Sequence, residues 1–444
     1  MIRHLRSKLS ATLLLAALGA VSAYSEPIVE PQLKAGAYKI DITPPVDQLP
    51  APLISVHDPL FVRALVLESN NADAIIVTVD APAISSEIYQ DILETISNTF
   101  DVPRRNIVLS VTHTHNSMRV ANPGPSPIPT SAQFTADVRT QTIAAIKEAR
   151  QRLTPSKYGF GSSQSSLVVG RNEWYAPQNR YIDGTDRTGM EPVDKTFGVL
   201  VFKKLSGEPI ATVANFGIQP VVFEPANTEV SGDVPGVTSN YVEAAIGGDF
   251  VSLFTIGAPA SPAYRVWFND DPTRTTTTAE RILSAMGVIL GEEVLAQMDA
   301  VTTSADATKI RSATSSLTCP GKITTPRNLR THCAYTDDSD LPACKFTDQP
   351  YQDVLLNLGV LRLGDLTFVT SDSNVTPALW QKFKSQSSLS SPMLVNTNFG
   401  QFRFVVDEKA YALSTYPATD TRAQAHCAEN GFLETVGDLI RATE

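Results

Sequence analysis

The chain is short of the residues that build thiolate metal centres. Its 444 residues hold four cysteines and six histidines. Cys319, Cys333, Cys344 and Cys427 form no CxxC pair, which argues against a cysteine zinc site. Basic clusters are absent too. With 36 Lys and Arg against 46 Asp and Glu, the formal charge is −10, which disfavours nucleic acid and anionic membrane as partners. Past residue 23 no segment is apolar enough to cross a bilayer, and there is no internal repeat or low-complexity tract. What remains is ordinary globular composition, 42% hydrophobic and 18% charged. A chain of this length builds one large domain or two fused ones with ample core.

The N-terminus carries an address. Arg3, His4, Arg6 and Lys8 precede the apolar run Leu9–Val21, and Val21-Ser22-Ala23 offers a small-residue cleavage site. That pattern is a secretory signal peptide, too short for a span, and it implies a secreted or periplasmic protein that begins near Tyr24. Removing residues 1–23 takes away Arg3, Arg6 and Lys8 and no acid, leaving 33 basic against 46 acidic residues, net −13. Export permits disulfides, and four cysteines fit two bridges in any of three pairings. Three of them fall in the polar segment Ser312–Gln349. It reads as a long loop stapled to itself and to the C-terminal region through Cys427.

Along the chain, strand-like and helix-like segments alternate. Ala37–Ile42, Val62–Glu68, Ala74–Asp80, Phe197–Phe202, Ile210–Phe216, Val251–Ile256, Val360–Leu363 and Leu366–Thr370 read as strands. Ser86–Phe100, Ala132–Arg152, Val237–Ile246, Ala279–Met298, Thr376–Lys384 and Leu433–Ala442 read as helices, with Ser85-Ser86 as an N-cap. The expected class is α/β, a layered mixed sheet with covering helices, in one domain over residues 24–444.

Thr112-His113-Thr114-His115-Asn116-Ser117 is the most informative stretch. It follows Ile107–Val111, an apolar run that reads as a buried strand. On an extended backbone residues i and i+2 point to the same side, so two imidazoles are expected together at a strand end. A structural histidine pair is the plainer alternative.

Several blocks line up in order with one family. Ala35-Gly36-Ala37-Tyr38-Lys39-Ile40-Asp41-Ile42-Thr43-Pro44-Pro45, His57–Ala64, the HxH block, Val169-Gly170-Arg171-Asn172, Val193-Asp194-Lys195, Val213–Phe216 and Ser231–Gly236 resemble the neutral ceramidases. The resemblance covers roughly Ala35–Tyr416 and leaves no room for the C-terminal β-sandwich domain that many members carry. It implies the fold of the ceramidase N-terminal domain, a role in lipid or sphingolipid metabolism, and a zinc amidase that hydrolyses ceramide.

Carried over residue by residue, the resemblance gives a broken metal site. Of the family's two histidines, glutamate and tyrosine on zinc, His113 matches the first. Gln219, Asn374 and Phe404 fall at the other three positions. Each is close in bulk to what it replaces, and none is a good zinc ligand. Zinc is therefore expected from the family but not from this chain, and His113 is the one inherited ligand should a metal bind. Asp372 is near enough in sequence to stand in as a carboxylate. The rest of the family site is better matched. His115 corresponds to a histidine at the reaction centre, Arg171 to a substrate-orienting arginine, and Ser261-Pro262 to a catalytic-site Ser-Pro. Tyr416 falls twelve positions after Phe404, where the family has a second tyrosine. His113, His115, Arg171, Ser261 and Tyr416 are the candidate catalytic set, with Gln219, Asn374, Phe404 and Asn172 around the substrate.

These residues support a metal-free hydrolase acting on an amide or ester of a hydrophobic, lipid-like substrate, with Ser261 activated by a histidine and Arg171 and Tyr416 stabilising an oxyanion. Two alternatives use the same pocket: a lyase or isomerase moving protons through the histidines, and a lipid-binding pseudoenzyme. A barrel-type zinc amidohydrolase, which also begins on HxH, fails because its further ligands have no counterparts.

Overall fold

Strands with both faces apolar organise the molecule. In a computed structural model, residues 33–444 are described except 125–127, 177–179, 187, 190, 224–227, 265–275, 306–307, 324–330, 336–341 and 346–348. The signal peptide expected over residues 1–23 lies outside the described residues.

Numbering only the strands of the two main sheets, the first contains β1 (Lys34–Asp41), β2 (Phe61–Glu68), β3 (Asp73–Val79), β4 (Ile107–Val111), β5 (Thr154–Gln164), β6 (Val168–Tyr175), β7 (Arg180–Asp186), β8 (Thr196–Lys204), β9 (Pro209–Ile218) and β10 (Val251–Pro262). Its order is β4-β3-β2-β1-β5-β8-β9-β10-β6-β7. The pairs β3–β4 and β9–β10 are parallel while their neighbours run antiparallel, so the sheet is mixed. The second sheet is β11 (Ile310–Ile323), β12 (Gln349–Leu363), β13 (Leu366–Ser371) and β14 (Ser391–Asn396), in that order.

Side-chain alternation assigns the layers. Val62, Ala64 and Val66 point to one face of the large sheet and pack under α1 (Ser86–Phe100) and α2 (Ala132–Gln151), against Ile88, Ile92 and Phe134. Leu65, Leu67 and Ile76 point the other way, onto Leu361, Phe368 and Val395 of the second sheet. α3 (Asp233–Ile246) and α4 (Thr276–Ala300) cover the other half of the large sheet through Val242, Leu283 and Leu290. The outer face of the second sheet is closed by α5 (Pro377–Gln386), with Trp380 and Phe383, and by a C-terminal helix (Ala428–Ala442), with Phe432 and Val436. β2, β3, β4, β9 and β10 are thus buried on both faces, which is why they read as near-continuous apolar runs.

One expectation changes. Ser312–Gln349, read as a loop from its polar composition, opens in β11 and closes in β12, which pair in register from Ile310↔Leu363 to Ile323↔Gln349. Pairing with a partner strand outweighs composition here. Cys319 of β11 is bonded to Cys427, and Cys333 and Cys344 are register partners in a small hairpin. The stretch 154–186, where the sequence marks neither strand nor helix, supplies β5, β6 and β7.

Candidate active site

A cavity of about 360 Å³ opens at the carboxyl ends of the parallel pair β3–β4, the position where sheets of this kind place ligands. The HxH block leaves β4 here, but not on an extended backbone. His113 has φ of 60°, in the left-handed region. The block is pinned around that turn. Thr112 N donates to Val79 O at 2.9 Å and its Oγ1 to Asp80 Oδ1 at 3.0 Å. Thr114 Oγ1 donates to Ser231 O at 2.7 Å, and Asn116 Nδ2 to Asp233 Oδ2 at 2.8 Å. Asp80 is itself fixed by buried Arg63, which also holds Glu243. The two imidazoles still meet, edge to face with centroids 5.1 Å apart, but strain and side-chain ties bring them together rather than strand periodicity.

Each ring has a defined partner. His113 Nδ1 lies 2.6 Å from Pro82 O. A carbonyl only accepts, so Nδ1 carries the proton and Nε2 is an acceptor. Burial pushes His113 down to about 3, helped by His115 and Arg171 and opposed by the Pro82 contact, so it is neutral at neutral pH. Gln219 bridges its neighbours: Arg171 Nη1 donates to its Oε1 at 3.4 Å, and its Nε2 lies 3.0 Å from His115 Nε2. The guanidinium thereby sets the amide's orientation, and His115 Nε2 accepts from it.

Arg171 is buried and forked onto Asp183, Nε to Oδ1 at 2.8 Å and Nη2 to Oδ2 at 3.4 Å. Burial works against its charge, but Asp183 outweighs that and raises its pKa. Phe404 and Tyr416 pack on the guanidinium, with ring centroids 5.2 and 5.6 Å from Cζ. Tyr416 O–H donates to Asp420 Oδ2 at 3.4 Å.

Of the nine residues singled out in sequence, His113, His115, Arg171, Gln219, Asn374, Phe404 and Tyr416 line this cavity. Ser261 and Asn172 do not. Ser261 sits in β10 paired with Val169 of β6, its Oγ 3.5 Å from Thr185 Oγ1. Asn172 spends its side chain on scaffolding, accepting from Tyr416 N at 3.1 Å and donating to Glu191 Oε1 at 2.5 Å.

The cavity also holds residues that sequence reasoning did not assign to it: Arg119, Arg403, Asp420 and Arg422. All sit on loops or at element ends close in sequence to motif residues, and that proximity is the one signal that could have found them. Asp372 lines the cavity as well. Burial pushes its carboxyl up to about 6, against hydrogen bonds from Asn357 and Ser373.

The positions the resemblance assigns to zinc offer one imidazole nitrogen, two amides and a phenyl ring. Gln219 is already shared between a guanidinium and an imidazole, and Phe404 has no donor atom. Among the described residues no three His, Cys, Asp or Glu side chains are grouped to hold a metal ion. This donor set does not fit zinc, which takes imidazole, thiolate or carboxylate.

Residues 54–258 match the family described as neutral/alkaline non-lysosomal ceramidase, N-terminal. The resemblance to neutral ceramidases stands. A ceramidase complexed with C2 shares the fold at a TM-score of 0.69 and 15% identity, over 93% of this chain and 75% of that one. A neutral ceramidase from Pseudomonas aeruginosa does so at 0.69 and 16%, over 93% and 74%. The neutral ceramidase match takes in His113, His115, Arg171, Asn172 and Gln219, whereas Ser261, Asn374, Phe404 and Tyr416 fall beyond it.

Proposed function

We propose that this chain is an exported, ceramidase-like hydrolase that cleaves an amide or ester bond in a hydrophobic substrate without the family zinc, acting as one catalytic domain over residues 24–444. The observation that carries the reading is convergence. Seven of nine residues chosen from separated motifs line one cavity at the sheet's strand ends. Export is supported by the Cys319–Cys427 bridge, since such bonds persist in oxidising compartments. Among the described residues no helix is long and apolar enough to cross a membrane.

With Ser261 outside the cavity lining, water is the nucleophile. Its lone pair attacks the acyl carbon while a proton passes to Asp372. That carboxylate is the one lining the cavity that is not engaged by Arg403 and Tyr416, as Asp420 is. His113 Nε2, held neutral, accepts a hydrogen bond from the water and orients it. The remaining N–H groups of Arg171 face the developing oxyanion, and Tyr416, whose hydroxyl donates to Asp420, packs on that guanidinium. Collapse breaks the C–N or C–O bond, and Asp372 returns its proton to the leaving amine or alkoxide.

A panel of ceramides, N-acyl amino compounds, esters and lactones tests this, with wild type, Asp372→Asn and chelator-treated protein side by side. At least one substrate should be cleaved, Asp372→Asn should slow it about 10²–10⁴-fold, and chelator should leave it unchanged. Cleavage of nothing in the panel, with retained lipid binding, would replace the hydrolase by a binding protein. The low basicity of His113 favours that second reading.

A further inference from the structure

The cavity is cationic in a molecule that is acidic. Four arginines line it, Arg119, Arg171, Arg403 and Arg422, against two aspartates, while the chain as a whole carries −10. The ion pairs do not balance them. Arg171 is matched by Asp183, and Arg403 reaches Asp420 at 3.5 Å. Among the described residues Arg119 and Arg422 have no ion pair, and Arg119 Nε is buried without a hydrogen-bond partner. Burial and the charges of Arg403 and Arg119 together depress the Arg422 guanidinium, a sign of how close like charges stand. Backbone strain points to the same wall: Arg403 has φ of 65°, where a non-glycine residue costs energy. Guanidinium groups without a paired carboxylate, in a cavity that also presents Ile84, Phe399 and Phe404, lower their energy by accepting an anion.

We infer that the site selects a substrate whose head group is a carboxylate, an acyl chain joined by an amide to an amino acid, held by Arg119 and Arg422. This rests on the hydrolase reading for the bond that is cleaved, but not for the binding. A carboxylate suits the planar fork of arginine and fits about 360 Å³ beside Ile84, Phe399 and Phe404. An uncharged head group would leave the same guanidinium groups without a counter-ion.

The test separates binding from turnover. Calorimetry on the full chain compares N-dodecanoyl-glycine with the uncharged N-dodecanoyl-ethanolamine and with dodecyl phosphate. The acid should bind about ten-fold or more tighter than the ethanolamide, and better than the phosphate. In Arg119→Gln/Arg422→Gln the preference over the ethanolamide should fall to within about three-fold, and 0.5 M salt should erode it in wild type. Equal affinity for acid and ethanolamide in wild type overturns the inference without depending on any variant. So does a preference for phosphate, or an acid preference that survives the double substitution. Acid-selective binding without hydrolysis leaves the inference standing and removes the hydrolase, whereas hydrolysis of both amides with equal binding does the reverse.

Discussion

Two walls of the cavity are built differently. The wall from the large sheet carries His113, His115, Arg171 and Gln219, all within the ceramidase match, and its polar atoms interlock from Pro82 to His113 and from His115 through Gln219 and Arg171 to Asp183. The facing wall carries Asp372, Asn374, Asn398, Arg403 and Arg422, beyond that match. Positive φ occurs on both, at His113 as at Asn398 and Arg403, but on the facing wall Asn374 Oδ1 and Asn398 Nδ2 are buried without a hydrogen-bond partner. Buried orphan groups are what folding alone does not select. The first wall is a finished scaffold for chemistry, and the second is completed by what it binds.

Breaking the first wall should have the largest effect. Arg171→Ala removes the cation that orders Gln219 and faces the oxyanion. Steady-state kinetics should show kcat down about 10²–10³-fold. A loss under ten-fold would place the chemistry elsewhere. The amides then offer a matched pair across the two walls. Gln219→Leu orphans the Arg171 and His115 contacts and should cost about 1–3 kcal/mol in denaturant unfolding. Asn374→Leu breaks no contact of Oδ1 and should stay within about 0.5 kcal/mol, with its effect appearing in KM instead. Equal costs would erase the distinction between the walls.

Acid separates them with opposite sign. His113 is held near 3, below its ordinary 6.5, so the unfolded chain binds a proton that the folded one refuses. Its contribution to stability is present above pH 6.5 and is lost as pH falls toward 3. Asp372 is raised from 3.8 to about 6, so the folded state binds the extra proton and gains stability as pH falls from 6 to 3.8. In melting temperature against pH, His113→Phe should flatten the acid limb and Asp372→Asn should steepen it. The reverse order would mean that the assignments are wrong. The smallest effect is expected at Ser261→Ala, under about three-fold in kcat. A loss of 10² would restore the serine as nucleophile.

The sequence carried the first wall better than the second. Apolar runs such as Ile75–Val79 and Ile107–Val111 announce strands buried on both faces, and the HxH block follows one of them. That inference reached the right place by the wrong geometry, because periodicity cannot report the left-handed turn at His113. Ser261 shows the opposite limit. A motif match put it in the site, but its strand pairs there with β6 and its hydroxyl meets Thr185. Arg119, Arg403 and Arg422 have no periodic signature, since separate loops bring them together. The strands of residues 154–186 were illegible for a related reason: their Gly- and Ser-rich sequence becomes sheet only through its neighbours.

The central claim is that this site keeps the ceramidase framework and works without its metal. Elemental analysis of the full chain, purified without chelator, tests it most directly. Far less than one zinc per chain is expected, because His113 stands alone beside Gln219, Asn374 and Phe404. Tightly held zinc at one per chain would contradict the account and restore a metal mechanism.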